Sequence, residues 1–503
     1  MKMNLGVMIC SHLQFTKTQK GEFIMKGFYR LFVALLVAVF VLTSCAPKAA
    51  ATEAPAATAA VAQSTEAATS AATEAATAAA TTAASGDKIN LTMWVDTGGD
   101  ASVSDCFIKQ VVDTFNATNT DNIFVEADPQ ANAWDAIRTA VAGGGGPDIV
   151  YTPGPSYAYE MAAAGELAPL DSYIKEFGWD QTFQPWALSL GVVNGKLYSI
   201  PNEIETMVMY YNKTVLAEKG WTVPTTTAEW FDLMNKAKAA GLIANAGGNA
   251  DWKAGDEWFV TVFLNEVAGS DNVYKALTGK MKWTDPVFVD AMNQLNGAMT
   301  GGLWEGGLDR YYTATQQEWL SDLGSGKAAL MIDGTWDIGQ IHKYFGAEAN
   351  NSNDWDWAPV PSKDGTAQFD LGIGSTESIN AASANPEAAA KFLNYMYTSK
   401  AAVNAVTQCG EAPAPVKMNA SDLSSLDPRR ARLITELNTA AAAGNYGYTT
   451  WTFWPAKSDA YIVDEIEKVW AGKETTEQYL QGLQDTFDAE LKAGTVLSIP
   501  TRQ

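Results

Sequence analysis

The chain has 503 residues, 47% of them hydrophobic, enough apolar surface for a large core and more than one lobe. Its formal charge of -23 repels polyanions, which argues against nucleic acid and against an anionic bilayer surface as partners. Four cysteines (Cys10, Cys45, Cys106, Cys409) contain no C-x-x-C pair, and the only histidines are His12 and His342. A zinc ribbon and a histidine-rich metal site are therefore excluded, and neither a metal nor a cofactor is expected.

In chain order, Lys26 and Arg30 precede an apolar run at 31–42. That run is too short for the roughly 20 residues a membrane span needs, and small residues follow it, the pattern of a secretory signal over 1–44. The polar stretch before it suggests that translation starts at Met25. Leu42-Thr43-Ser44-Cys45 resembles the bacterial lipobox, in which the cysteine becomes the lipidated first residue. Residues 45–86 are then an Ala/Thr-rich tether with almost no large apolar side chains to offset the entropy of ordering.

From Lys88 the texture changes. Ile89, Leu91, Met93 and Val95 alternate as in a strand, and Phe107, Val111 and Phe115 recur every four residues as on a helix face. Residues 122–127 read as strand, Gly143 to Gly146 as a turn, and Pro147-Asp148-Ile149-Val150 as the start of another strand. Gly247-Gly248 and Gly301-Gly302 read as surface loops. Thr226 with Glu229, and Thr475 with Gln478, have capping-box spacing, and Asn385-Pro386 opens a further helix. Strands alternating with helices indicate an α/β fold with a largely parallel sheet.

Several motifs fail on inspection. The run around Lys327 has Ser321 and Ala328 where a phosphate-binding loop needs Gly and Ser or Thr. The glycines at 143–146 lack the dinucleotide-binding spacing, and Asp354, Asp356 and Asp364 lack the calcium-loop spacing. A glycosidase needs two carboxylates roughly 5–10 Å apart, and nothing in the sequence singles out such a pair.

Four segments in order carry a resemblance. They are GGGGPDIVYTPGPSYAYEMAAAGELAPLD (143–171), NGKLYSIPNEIETMVMYYNKTVL (194–216), GKAALMIDGTWDI (326–338) and INAASANPEAAAKFLNYM (379–396). Together they resemble the family 1 extracellular solute-binding proteins, the maltose-binding-protein-like receptors of ABC importers. The resemblance implies an α/β two-lobe periplasmic-binding-protein fold (type II), each lobe a mixed sheet flanked by helices. It places crossing segments of the hinge near 203–210, 369–375 and 446–450. Lobe I is then 87–204 plus 376–446, and lobe II 208–370 plus 447–503.

Sugars offer C–H faces to aromatic rings and hydroxyls to polar groups. The chain has 17 tryptophans, most of them core by default. Trp336 follows Asp333-Gly334-Thr335 at a strand end, where α/β sheets open their ligand crevices, and matches the family's stacking Trp. By the same resemblance Trp258, Trp451 and Trp454 are candidate ligand rings, and Trp94, Asp96 and Tyr157 candidate cleft residues. Glu205, in the first crossing, is a candidate acceptor for sugar hydroxyls, against the plainer reading of a hinge salt bridge. The charged clamps of the maltose pattern are missing: this chain has Gly98-Gly99 and Pro155-Ser156 in their places. Maltose specificity is therefore not implied.

Outside the membrane Cys106 and Cys409 either bridge or remain two free buried thiols. The expected function is a lipid-anchored, extracytoplasmic, monomeric receptor. It would capture a sugar by lobe closure and hand it to the membrane subunits of an ABC permease, without enzymatic activity. The alternatives are a binding protein of the same fold for a non-sugar solute, and a secreted glycoside hydrolase.

Overall fold

Strand β1 (Ile89–Asp96) shows how sequence pattern becomes structure: Leu91 and Met93 are buried while Asn90 and Thr92 face solvent, the alternation of a sheet covered unevenly on its two faces. The computed structural model describes residues 88–97, 101–409, 414–418, 420–497 and 499. The expected signal, Cys45 and tether lie outside these residues. After β1 come β2 (Ile123–Gln130), β3 (Ile149–Thr152), β4 (Val192–Val193), β5 (Lys196–Leu197), β6 (Ser199–Pro201) and β7 (Ile204–Glu205). There follow β8 (Met207–Asn212), β9 (Ile243–Ala246), β10 (Ala328–Gly334) and β11 (Trp355–Pro359), then β12 (Phe369–Ile373), β13 (Thr376–Ile379) and β14 (Tyr446–Tyr448).

Two mixed sheets organise these strands. The first has the order β2-β1-β3-β13-β6, with β1 parallel to β2 and β3 and β13 antiparallel to β3 and β6. The second has the order β11-β8-β10-β9, antiparallel except where β10 meets β9. Alternating elements alone suggested a largely parallel arrangement. The sheets are mixed because the chain leaves each one and returns to it after a long excursion. The structure is thus α/β with two lobes, each a sheet flanked by helices. β10, central in its sheet, is buried along its whole length, which is why AALMIDG shows no alternation.

Helices cover both sheets. Phe107, Val111 and Phe115 all reach the first core. A step of four would drift off one face of a regular α-helix, and a π-helical turn at Ile108–Val112 keeps the three aligned. The capping boxes at Thr226/Glu229 and Thr475/Gln478 are present, with a third at Thr315/Glu318. The second core absorbs most of the tryptophans: Trp230, Trp283, Trp304, Trp319, Trp357 and Trp454 are all fully buried.

Three expectations need correction. Gly247 and Gly248 are buried, not a surface loop, and a Cβ at Gly248 would lie 2.4 Å from the Ala314 carbonyl oxygen. Gly302 is likewise buried, beside the exposed Gly301. The helix Pro428–Ala442, assigned above to the first lobe, packs Leu433, Leu437 and Ala440 into the second core. Its arginines hold it there: Arg429 lies 4.3 Å over the Trp355 ring and Arg432 4.2 Å over the Trp357 ring.

The three expected crossing segments meet in one small sheet, β14-β12-β7. Phe369, Asp370 and Leu371 pair in parallel with Tyr446, Gly447 and Tyr448, while Gly372 and Ile373 pair antiparallel with Glu205 and Ile204. Passages between the two large sheets are therefore hydrogen-bonded to one another.

Candidate ligand crevice

A crevice of about 290 Å³ opens where the ends of the two large sheets face each other. The first sheet and its connections contribute Trp94 and Asp96 at the end of β1, Tyr151 from β3, Asn202 and Glu203 after β6, and Glu377 from β13. From the second lobe come Gln316, Trp336 and Gln340.

Trp336 owes its pose to a glycine. A Cβ at Gly334 would sit 2.1 Å from the indole, so the ring folds back over backbone that only glycine leaves open. The Tyr210 hydroxyl donates to the Gly334 carbonyl at 2.8 Å and pins that backbone. The Trp258 ring lies 4.7 Å from Trp336, and Trp451 lies 6.1 Å from it on an edge-to-face contact. Three of the four tryptophans expected in the second lobe's contribution thus form one chain of rings with Trp336 at its centre, and of the three it is Trp336 that lines the crevice, with Trp258 and Trp451 packed behind it. Trp454 does not join them. It is 0% exposed and stacks on Trp283 at 5.0 Å, its backbone extended just past the end of the helix Thr450–Phe453.

Two glutamines beside Trp336 are fixed from beneath. Asp337 Oδ1 accepts from Gln316 Nε2 at 2.9 Å and from Gln340 Nε2 at 2.6 Å. Burial raises the Asp337 carboxyl to about 6, the hydrogen bonds from Asp333 and the two amides pulling it back down.

On the first lobe, Asp96 Oδ2 accepts the Ala133 N–H at 3.0 Å, so Asp96 also caps the helix Ala133–Ala142. Glu205 is 7% exposed, its carboxylate laid against Gly374. Tyr157 does not line the crevice: its hydroxyl donates to Asp459 Oδ2 at 3.3 Å and its ring meets Trp134 edge-on at 5.1 Å. Burial, and then Asp459, push that hydroxyl's pKa far above the usual phenol range. Behind Asp459, the Thr450 hydroxyl donates to Glu257 Oε2 at 2.7 Å, and burial raises both carboxyls, Asp459 to about 6. Cys106 and Cys409 are bridged, with Cα atoms 5.5 Å apart. The bridge ties the helix Ala101–Phe107, which lends Val103, Ser104 and Phe107 to the crevice, to the helix Lys400–Gln408, which lends Val406.

Sequence reasoning missed Tyr151, Glu203, Glu377, Gln316 and Gln340. Burial and the charges of Glu203, Asp96, Glu205 and Glu377 hold the Tyr151 hydroxyl well above its ordinary pKa, so four carboxylates gather around one phenol. The signal that could have found Glu377 is an acidic residue inside the otherwise buried strand TESI. Nothing local marks Gln316 or Gln340, which reach the crevice only through the packing of the second lobe.

Residues 101–403, more than half of the chain, match the family described as bacterial extracellular solute-binding protein. The chain belongs to that family. It is similar to the galactooligosaccharide-binding protein of Bacillus subtilis (strain 168), at 23% identity over 404 residues, 77% of this chain and 87% of that one. It is also similar to the multiple sugar-binding protein of Streptococcus mutans serotype c, at 24% identity over 317 residues, 59% of this chain and 69% of that one. Among solved structures a chitin oligosaccharide binding protein superposes with a TM-score of 0.67 at 21% identity, over 80% of this chain and 99% of its own. That likeness establishes the fold. As a member of that family, the chain is an extracellular solute-binding protein. Among the described residues no helix is long and apolar enough to cross a membrane.

Proposed function

We propose that this family member is a receptor that captures a sugar, mono- or oligosaccharide, by closing its two lobes on it and presents it to an ABC-type permease. The observation that carries the reading is the indole of Trp336, backed by Trp258 and Trp451, lining with Trp94 a crevice whose wall bears carboxylates and amides. Indole faces suit the C–H faces of a pyranose, and carboxylates and amides suit its hydroxyls. The names of the relatives, which include galactooligosaccharide, multiple-sugar and chitin-oligosaccharide binders, support the same class.

Closure follows from the hinge. A solute that touches both lobes only when they are shut must favour the closed state by about 5.5 kcal/mol to move the population from 1:99 to 99:1. Stacked rings and several hydroxyl hydrogen bonds are of that order. Lipidation at Cys45 with a tether to residue 86 would keep the receptor near its permease and let it swing. The reading adds no catalytic residue. Its test is a thermal-shift and tryptophan-fluorescence screen over mono- and oligosaccharides, with product analysis of each mixture. A sugar should raise the melting temperature and be recovered intact; a shift produced only by a non-sugar solute, or cleavage of the sugar, would overturn the reading.

A further inference from the structure

One side of the crevice is apolar. Met93 of β1 lies opposite Ile149 of β3, and Tyr151 follows Ile149 by two residues, so Met93, Val95 and Tyr151 share one face of the first sheet. Glu377 of β13 lies directly across from Tyr151 and joins them on that face. The helices packed there add Val103, Phe107, Met396 and Val406 to the crevice wall. A lone acid thus stands among apolar side chains and a phenol.

Glu377 is 2% exposed, and its Oε2 is buried without a hydrogen-bond partner in the protein. The crevice wall offers it no lysine, arginine or histidine as a counter-charge. Burial raises its carboxyl to about 8, so at neutral pH it is mostly the neutral acid, with one O–H to donate. The Tyr151 hydroxyl beside it is neutral too, held well above its ordinary range by burial and by the nearby carboxylates. Buried polar groups are matched by partners as a rule, and here the guest is left to supply one.

The chemistry that fits is an acceptor joined to a small apolar group. A sugar hydroxyl would meet the donor but set a polar group against Phe107 and Met396. An ammonium group would lose its hydration to a neutral acid and apolar walls. An acetamido group answers both demands, because it carries a carbonyl oxygen and a methyl one bond apart from the same carbon.

We infer that this side of the crevice holds the acetamido group of an N-acetylated sugar, its carbonyl oxygen accepting the Glu377 O–H and its methyl lying among Val103, Phe107 and Met396, while the pyranose ring rests on Trp336. The inference rests on the sugar reading and narrows its substrate class.

The test is isothermal titration of the full chain at neutral pH with N-acetylglucosamine, N-acetylgalactosamine and their oligomers, against the parent sugars and the free-amine forms. The N-acetylated sugar is expected to bind at least about ten-fold tighter than its parent. Glu377→Met keeps the length and removes the donor, and should lower that ratio about five-fold. Glu377→Gln retains a neutral donor and should keep most of it.

A second arm needs no variant that lacks a donor, and it stands if Glu377→Met fails to fold. In the native chain the ratio should fall as pH climbs through about 8 and Glu377 loses its proton, while in Glu377→Gln it should stay level. The other titratable groups about Glu377 are Tyr151 and Tyr397, whose phenols burial holds well above their ordinary range, Asp96, which accepts the Ala133 N–H, and Glu203 after β6. The glutamine variant keeps all four, so the comparison isolates Glu377. A parent or free-amine sugar that binds as tightly as the N-acetylated one overturns the inference and leaves the sugar reading standing. A preference that survives both Glu377→Met and high pH also overturns it. Binding of a non-sugar solute, with no response to any sugar, would sink the sugar reading and this inference with it.

Discussion

The carboxylate of Glu205 occupies the space a side chain at Gly374 would need: a Cβ built there would lie 2.0 Å from Glu205 Cδ. Both residues border the small sheet that joins the lobes, Glu205 in β7 and Gly374 just after β12. Because Glu205 is 7% exposed, its carboxylate has little room to retreat. Gly374→Ala should therefore cost roughly 1–3 kcal/mol of stability through overpacking. It should also weaken solute binding, because Glu205 pairs with Gly372 in the small sheet that joins the lobes. Denaturation and titration of the same variant would separate the two effects, and an unchanged melting temperature with unchanged affinity would refute the relationship.

Trp336 and Trp454 make a controlled contrast. Trp454→Ala removes a fully buried ring from the second core and should cost about 3–5 kcal/mol by denaturant unfolding. Trp336 is only half-buried at the crevice. Trp336→Ala should leave the stability of the unliganded protein within roughly 1 kcal/mol and abolish the solute-induced thermal shift.

The bridge between Cys106 and Cys409 closes a separation of 303 residues. Loop-entropy reasoning gives about 5 kcal/mol for a loop of that size, as an upper bound. Cys106→Ser with Cys409→Ser should lower the melting temperature. It should also loosen solute binding, because the tied helices supply Ser104, Phe107 and Val406 to the crevice. A variant with lowered stability but native affinity would restrict the bridge to a purely structural role.

A buried acid near the hinge sets a pH dependence. Glu266 accepts from Gln368 Nε2 at 2.9 Å, while its Oε2 has no partner. Burial raises its carboxyl to about 8, and the neighbouring Asp370 is raised too. The unfolded carboxyl titrates near 4.3, so between these values the folded state holds the extra proton. The contribution is complete below the unfolded pKa and is lost as pH climbs through about 8, at up to roughly 1.4 kcal/mol per pH unit. Glu266→Gln should flatten the fall in melting temperature across that window.

Strand β11 is an edge, and Arg432 closes it. Its guanidinium donates to Asp356 Oδ1 at 2.6 Å and to the Trp357 carbonyl at 2.8 Å while stacking on the Trp357 ring. Arg432→Ala should cost about 1 kcal/mol and promote association through the opened edge. Lysine has no planar fork to bond and stack at once, so Arg432→Lys should restore only part of the loss in denaturation and light scattering.

Much of this molecule was legible in one dimension, for a physical reason: local signals depend on neighbours in sequence. Alternation set β1, capping boxes set the helix starts at Thr227 and Thr476, and a strand-end glycine before an aromatic residue marked Trp336. The crossing segments could be placed because their motifs are contiguous. What lay beyond reach depends on residues far apart in the chain. Trp451 and Trp454 are three residues apart and look alike in sequence, yet one meets Trp336 and the other Trp283, because Trp451 lies within the short helix Thr450–Phe453 and Trp454 follows it with extended backbone. Glu377 acquires its unpaired oxygen only when β13 is laid against β3, more than two hundred residues earlier. The helix Pro428–Ala442 joins the second core through arginines that find their tryptophans only once β11 is in place. Patterning along the chain decided which elements form and that the fold is α/β, and the resemblance of four segments to a known family implied two lobes; desolvation and cross-strand register, which exist only in the folded state, decided which rings and carboxylates face the crevice.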